Sequence, residues 1–119
     1  MVQMTMQVSN DLAKRIQPIR YWLPTILEIG LVGFKTAATE TASEIIQFLS
    51  TNPSPQEVLA YQAPHRSQAR LRRLLILNEA GVVGEMEQSE LDELQKIEHI
   101  MIMLKTQIVE QRQYKGQCH

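Results

Sequence analysis

Residues 71–108, LRRLLILNEAGVVGEMEQSELDELQKIEHIMIMLKTQI, carry the clearest structural signal in the chain. Leu94, Ile97, Met101, Leu104 and Ile108 recur at three, four, three and four, which draws one apolar seam along a helix. Glu85 and Glu87 open that helix, where carboxylates offset the positive end of the macrodipole, and the pattern predicts helix to about Gln113. Upstream, Leu71, Leu74, Leu75 and Asn78 mark a second helix entered at Pro64 and stopped at Gly81, where a left-handed backbone has no Cβ to clash. Val82-Val83-Gly84 joins the two, so residues 65–113 read as an antiparallel helical hairpin. Ile100, Ile102 and Met103 widen the seam beyond one stripe, which calls for cover either from the chain itself or from another protein.

Working back from the hairpin, residues 51–64 read as a linker with a short helix. Thr51-Asn52-Pro53 is a break, and Ser54-Pro55-Gln56-Glu57 a restart with a serine cap, a proline at the first helical position and a glutamate able to reach back. Before it, a helix is expected from about Thr36 to Ser50, burying Ala38, Ala42, Ile45, Ile46 and Leu49. Leu12, Ile16, Ile19, Leu23 and Ile26 suggest another apolar stripe, which Pro18 and Pro24 must break into short segments, because an interior proline removes an amide donor and crowds the preceding turn. At the start, Val2, Met4, Met6 and Val8 alternate with Gln3, Thr5 and Gln7, the pattern of a half-buried strand, followed by a cap at Ser9 or Asn10. The expected fold is mainly α: a short N-terminal strand, four to five helices and the closing hairpin. Residues 1–50 form the N-terminal region and residues 114–119 a flexible tail.

Composition agrees with a helical core. The 119 residues are 44% hydrophobic but only 5% aromatic, so aliphatic side chains and six methionines must fill the interior. A formal charge of -1 gives no overall attraction to nucleic acid and leaves that role to local patches. The single cysteine, Cys118, allows no internal disulfide, and the apolar stretch from Tyr21 to Phe34 is interrupted by Pro24, Glu28, Gly30 and Gly33. A soluble cytoplasmic protein is the expectation, without membrane contact.

Catalytic chemistry has no foothold in the pattern. His65, His99 and His119 stand at no ligand spacing from one another, Cys118-His119 is a terminal pair, and no phosphate-binding or nucleophile motif occurs. Neither metal nor cofactor is expected. Two features point to binding. Gln3, Thr5 and Gln7 could read base edges if two strands paired into a ribbon, with Lys14, Arg15 and Arg20 anchoring phosphates. Arg66, Arg70, Arg72 and Arg73 form a basic patch ahead of the hairpin turn, and with Ile97, Ile100, Met101, Met103 and Leu104 they are the expected protein-contacting set. The bland alternative for the arginines is a charge match with the acidic start of the last helix.

ARLRRLLILNEAG (69–81) and EQSELDELQKIEHIMIMLK (87–105) resemble the C-terminal half of small bacterial antitoxin-like proteins, and LPTILEIGLVGF (23–34) is similar to their middle. The resemblance runs from about Met4 to Ile108. It implies a type II antitoxin or close relative: an N-terminal part that dimerises and contacts DNA, and a helical remainder that covers a nuclease toxin. The sequence departs from a ribbon-helix-helix pattern in the proline-broken apolar segment between Ile16 and Phe34. A stand-alone DNA-binding dimer of that type and a structural subunit of a larger helical complex are the alternatives.

Overall fold

The computed structural model describes residues 2–117, with side chains over residues 2–112. Six α-helices follow in order: α1 (Asn10–Ile16), α2 (Leu23–Gly30), α3 (Ala38–Ser50), α4 (Pro55–Ala60), α5 (His65–Glu79) and α6 (Glu85–Gln117), with a 3-10 turn at Gln17–Ile19 between α1 and α2. The extra pieces relative to the expected four to five come from the prolines. Pro18 sits in the 3-10 turn and Pro24 in the first turn of α2, where a missing amide costs no helical hydrogen bond.

α6 is the spine. At 33 residues and about 1.5 Å per residue it is about 50 Å long, matching the longest dimension of the molecule, 50 Å. Helices α2, α3, α4 and α5 all pack against it. Leu91, Leu94, Ile97, Ile100, Met101, Leu104 and Ile108 line its inner side, and Trp22, Ile29, Ala38, Ala42, Ile45, Leu49, Val58 and Leu74 close over them. This chain therefore covers Ile97, Ile100 and Met101, while Ile102 and Met103 stay exposed. Helix α6 also continues to Gln117, beyond the expected end near Gln113. The expected flexible tail thus includes helical residues as far as Gln117, and Cys118 and His119 lie outside the described residues.

Local chemistry sets the helix ends. The Ser9 hydroxyl accepts from the Leu12 amide at 3.2 Å and Ser54 from Glu57 at 3.1 Å. Glu57 turns back as its spacing suggests, but its carboxylate accepts from the Ser54 hydroxyl at 3.3 Å, not from the cap amide. At the end of α5 the amides of Gly81 and Val82 donate to the carbonyls of Asn78 and Leu77, both at 3.1 Å, with Gly81 at φ 73°. This paired closure requires a left-handed residue at its centre, which fixes the hairpin turn at Gly81.

One expectation is corrected at the N-terminus. No strand occurs among the described residues. Residues 2–9 form no ladder and lie exposed, with Val2 at 89% and Met4 at 86%. A strand is completed only by a neighbour's backbone, and this chain brings no other extended segment beside the arm. The expected break of the Leu12-to-Ile26 stripe at its prolines is realised as α1, the 3-10 turn and α2. The bend at Pro18 turns Leu12 outward and leaves Ile16, Ile19, Leu23 and Ile26 half-buried, while Trp22 and Ile29 enter the core. The indole N–H of Trp22 donates to the Pro53 carbonyl at 2.9 Å, which joins the start of α2 to the α3–α4 connection. No helix among the described residues is long and apolar enough to cross a membrane.

Candidate partner-binding surface

The residues singled out in the sequence fall into three places. Gln3, Thr5 and Gln7 are exposed on the arm, and Lys14 and Arg15 are exposed in the last turn of α1, a helix with no buried residue. Ile97, Ile100, Met101 and Leu104 are core residues. Of that apolar set only Met103 faces solvent, beside Ile102 on the outer side of α6. The four arginines separate again, because α5 presents different sides to its neighbours.

Arg70 lies on the side of α5 that meets α6. Its Nε donates to Glu90 Oε2 at 2.7 Å and its Nη2 to Glu90 Oε1 at 3.1 Å, a two-point fork on a carboxylate that is nearly buried. The hydrogen bonding to Glu90 raises the Arg70 pKa against the opposing effect of desolvation, with the charges of Glu90 and Glu87 adding to the rise. Arg66 makes an exposed ion pair with Glu40 of α3 at 3.7 Å. Arg72 and Arg73 are exposed and make no salt bridge among the described residues.

A charge match between these arginines and the acidic start of α6 is realised at Arg70 alone. Three of the other carboxylates are engaged elsewhere. Glu87 accepts from the Gly84 amide at 3.2 Å and Asp92 from Gln88 at 2.9 Å. Glu93 holds the α2–α3 connection, accepting from the Thr36 hydroxyl at 2.7 Å and from the Lys35 and Thr36 amides at 3.1 and 3.2 Å. Desolvation pushes the Glu93 pKa up, but these hydrogen bonds and the nearby Lys96 outweigh it and hold it below the usual carboxylate value.

An apolar groove of about 430 Å³ opens between α3, α5 and α6, with Ile45, Leu71, Ile97 and Met101 in its lining and Tyr61 and Lys105 at its margin. Lys105 Nζ donates to the Tyr61 carbonyl at 2.8 Å, and the Tyr61 ring stacks on Phe48 with centroids 4.5 Å apart. Burial, then the charge of Glu44, raises the Tyr61 pKa. Nearby, Glu44 Oε2 is buried without a hydrogen-bond partner among the described residues. No group of three or more His, Cys, Asp or Glu side chains among the described residues is placed to hold a metal ion.

Sequence reasoning missed Ile76 and Leu75 as surface residues, Trp22 as core, and the anchoring work of Glu90 and Glu93. Ile76 had a readable signal: it follows Arg72 by four and Ala69 by seven, on the side of the helix opposite Leu74. Compared with known proteins, the chain matches no family model, and no curated protein or solved structure is found to be similar.

Proposed function

We propose that this chain is a non-enzymatic interaction protein of antitoxin type, which binds and neutralises a nuclease and works as a homodimer or higher homo-oligomer. The observation that carries the reading is an excess of surface. A compact monomer of 13.7 kDa exposes about 6,600 Å². This chain exposes 9078 Å², and its radius of gyration of 16.8 Å exceeds the roughly 13.5 Å expected of a compact chain of this length. The surplus of about 2,500 Å² is of the size that stable protein–protein association buries. It includes the exposed arm and α1, with Val2, Met4, Met6 and Leu12 uncovered.

The nuclease as partner rests on the sequence resemblance. Co-expression with the product of the reading frame beside this gene tests it. The reading expects a stoichiometric complex and loss of nucleic-acid cleavage by that product. Cleavage that continues in an excess of this chain, or a neighbour without nuclease activity, rejects it.

A second reading, a DNA-binding dimer of ribbon-helix-helix type, is favoured by the arm itself. Its backbone is unpaired among the described residues, Gln3, Thr5 and Gln7 are exposed and alternate in sequence with apolar residues, and the cations Lys14, Arg15 and Arg20 are exposed close behind it. Two copies of the arm could complete each other's ladder. This reading expects operator binding that weakens steeply with salt and is lost when residues 1–8 are removed. Retained binding after that deletion rejects it.

A further inference from the structure

The geometry points to the outer face of α5 as a docking surface for a protein partner with an apolar centre and an acidic rim. His65, Ala69, Arg72 and Ile76 lie exposed on the side of α5 away from Leu74, the buried contact with the core, and the exposed Arg73 flanks them. Ile76 is 61% exposed, and the chain enters the turn with Val82 64% exposed. The inference rests on the reading of this chain as a partner-binding protein and names the face and the chemistry that meets it.

Charge complementarity argues for the acidic rim. Arg72 and Arg73 have no carboxylate within ion-pair distance among the described residues, although five acids open the adjoining helix. Of those five, Glu87, Glu90, Asp92 and Glu93 are held by Gly84, Arg70, Gln88 and the Lys35-Thr36 amides. The fold therefore leaves two adjacent guanidinium groups to an outside partner. Guanidinium forks match carboxylates and phosphates alike, so the arginines do not distinguish protein from nucleic acid. Ile76 does. Nucleic-acid backbones are held by cations and hydrogen-bond donors, whereas protein interfaces surround a desolvated apolar centre with arginine and polar groups. An exposed isoleucine one turn from both arginines fits the second pattern.

The test measures binding of a fluorescent amphipathic helical peptide of leucine and glutamate to the intact chain, beside poly-glutamate and a duplex DNA. The peptide is expected to bind more tightly than either. Joint Arg72→Glu and Arg73→Glu substitution should weaken it by at least about tenfold, and Ile76→Ser by about tenfold. Because these side chains are exposed, the variants should keep the wild-type helical signal and melting temperature. No peptide binding, binding unchanged by the substitutions, equal binding of poly-glutamate, or duplex DNA as the ligand lost on charge reversal would each overturn the inference. A chain that binds the peptide through this face yet leaves its neighbour's nuclease active sinks the nuclease reading alone. Full nuclease inhibition by the Arg72→Glu/Arg73→Glu variant sinks this inference alone.

Discussion

Arg70 and Glu90 join α5 to α6 through two hydrogen bonds, 2.7 and 3.1 Å long, and the pair is lopsided: 41% of the arginine side chain is exposed but only 10% of the glutamate. Removing the arginine strands a carboxylate in a nearly dry place. Removing the carboxylate leaves an arginine that can turn to water. Arg70→Met should therefore cost about 2 kcal/mol, and Glu90→Gln, which keeps an acceptor, about 1 kcal/mol or less. Urea denaturation of both variants checks the order. Equal losses would mean that Glu90 is hydrated in the folded state.

Glu93 makes stability depend on pH. Its folded pKa is lowered by the Thr36 and Lys35 hydrogen bonds against the opposing effect of burial, so ionisation favours the folded chain. Its contribution is complete above the ordinary carboxylate range and fades as pH falls through the lowered folded value. Melting temperatures of the wild type and Glu93→Gln should differ most near neutral pH and converge in acid. A gap that stays constant down to the acid limit would show that Glu93 is not the titrating anchor.

Trp22 is the chain's single tryptophan and is 1% exposed, with its indole N–H on the Pro53 carbonyl. Its fluorescence should be blue-shifted and poorly quenched by iodide. Trp22→Phe keeps much of the apolar contact but leaves the Pro53 carbonyl without its donor, at a cost of about 1–3 kcal/mol. Red-shifted, readily quenched emission from the native protein would contradict the burial.

The hairpin was the most legible part of the sequence because a long helix repeats its signal many times. All five seam residues from Leu94 to Ile108 are buried, and Gly81 ends α5 as its conformational freedom suggests. The N-terminal strand could not be judged the same way. Alternation at Val2, Met4, Met6 and Val8 specifies which side of the arm is apolar, but not which backbone it pairs with. Trp22 escaped the stripe drawn through Ile19 and Leu23 because the prolines announce a break but not the phase in which the helix resumes, which the 3-10 turn at Pro18 sets. The basic patch was visible as composition. Its division into an anchored Arg70 and free Arg72 and Arg73 depends on the angle at which α5 meets α6, which no local pattern encodes.

The arm contributes nothing to the folded monomer. With Val2, Met4 and Met6 exposed and no hydrogen bond reaching residues 2–8 among the described residues, deleting residues 1–8 should change unfolding free energy by less than about 0.5 kcal/mol. The same deletion should weaken self-association. Thermal melts at low protein concentration and light scattering at high concentration separate the two effects, and a large drop in intrinsic stability would place the arm inside the fold.

Another chain is expected to cover the surface this one leaves open, and sedimentation equilibrium of the purified protein is the decisive measurement. The mass should exceed 13.7 kDa and rise with concentration to at least a dimer. A mass of 13.7 kDa at every concentration would contradict it.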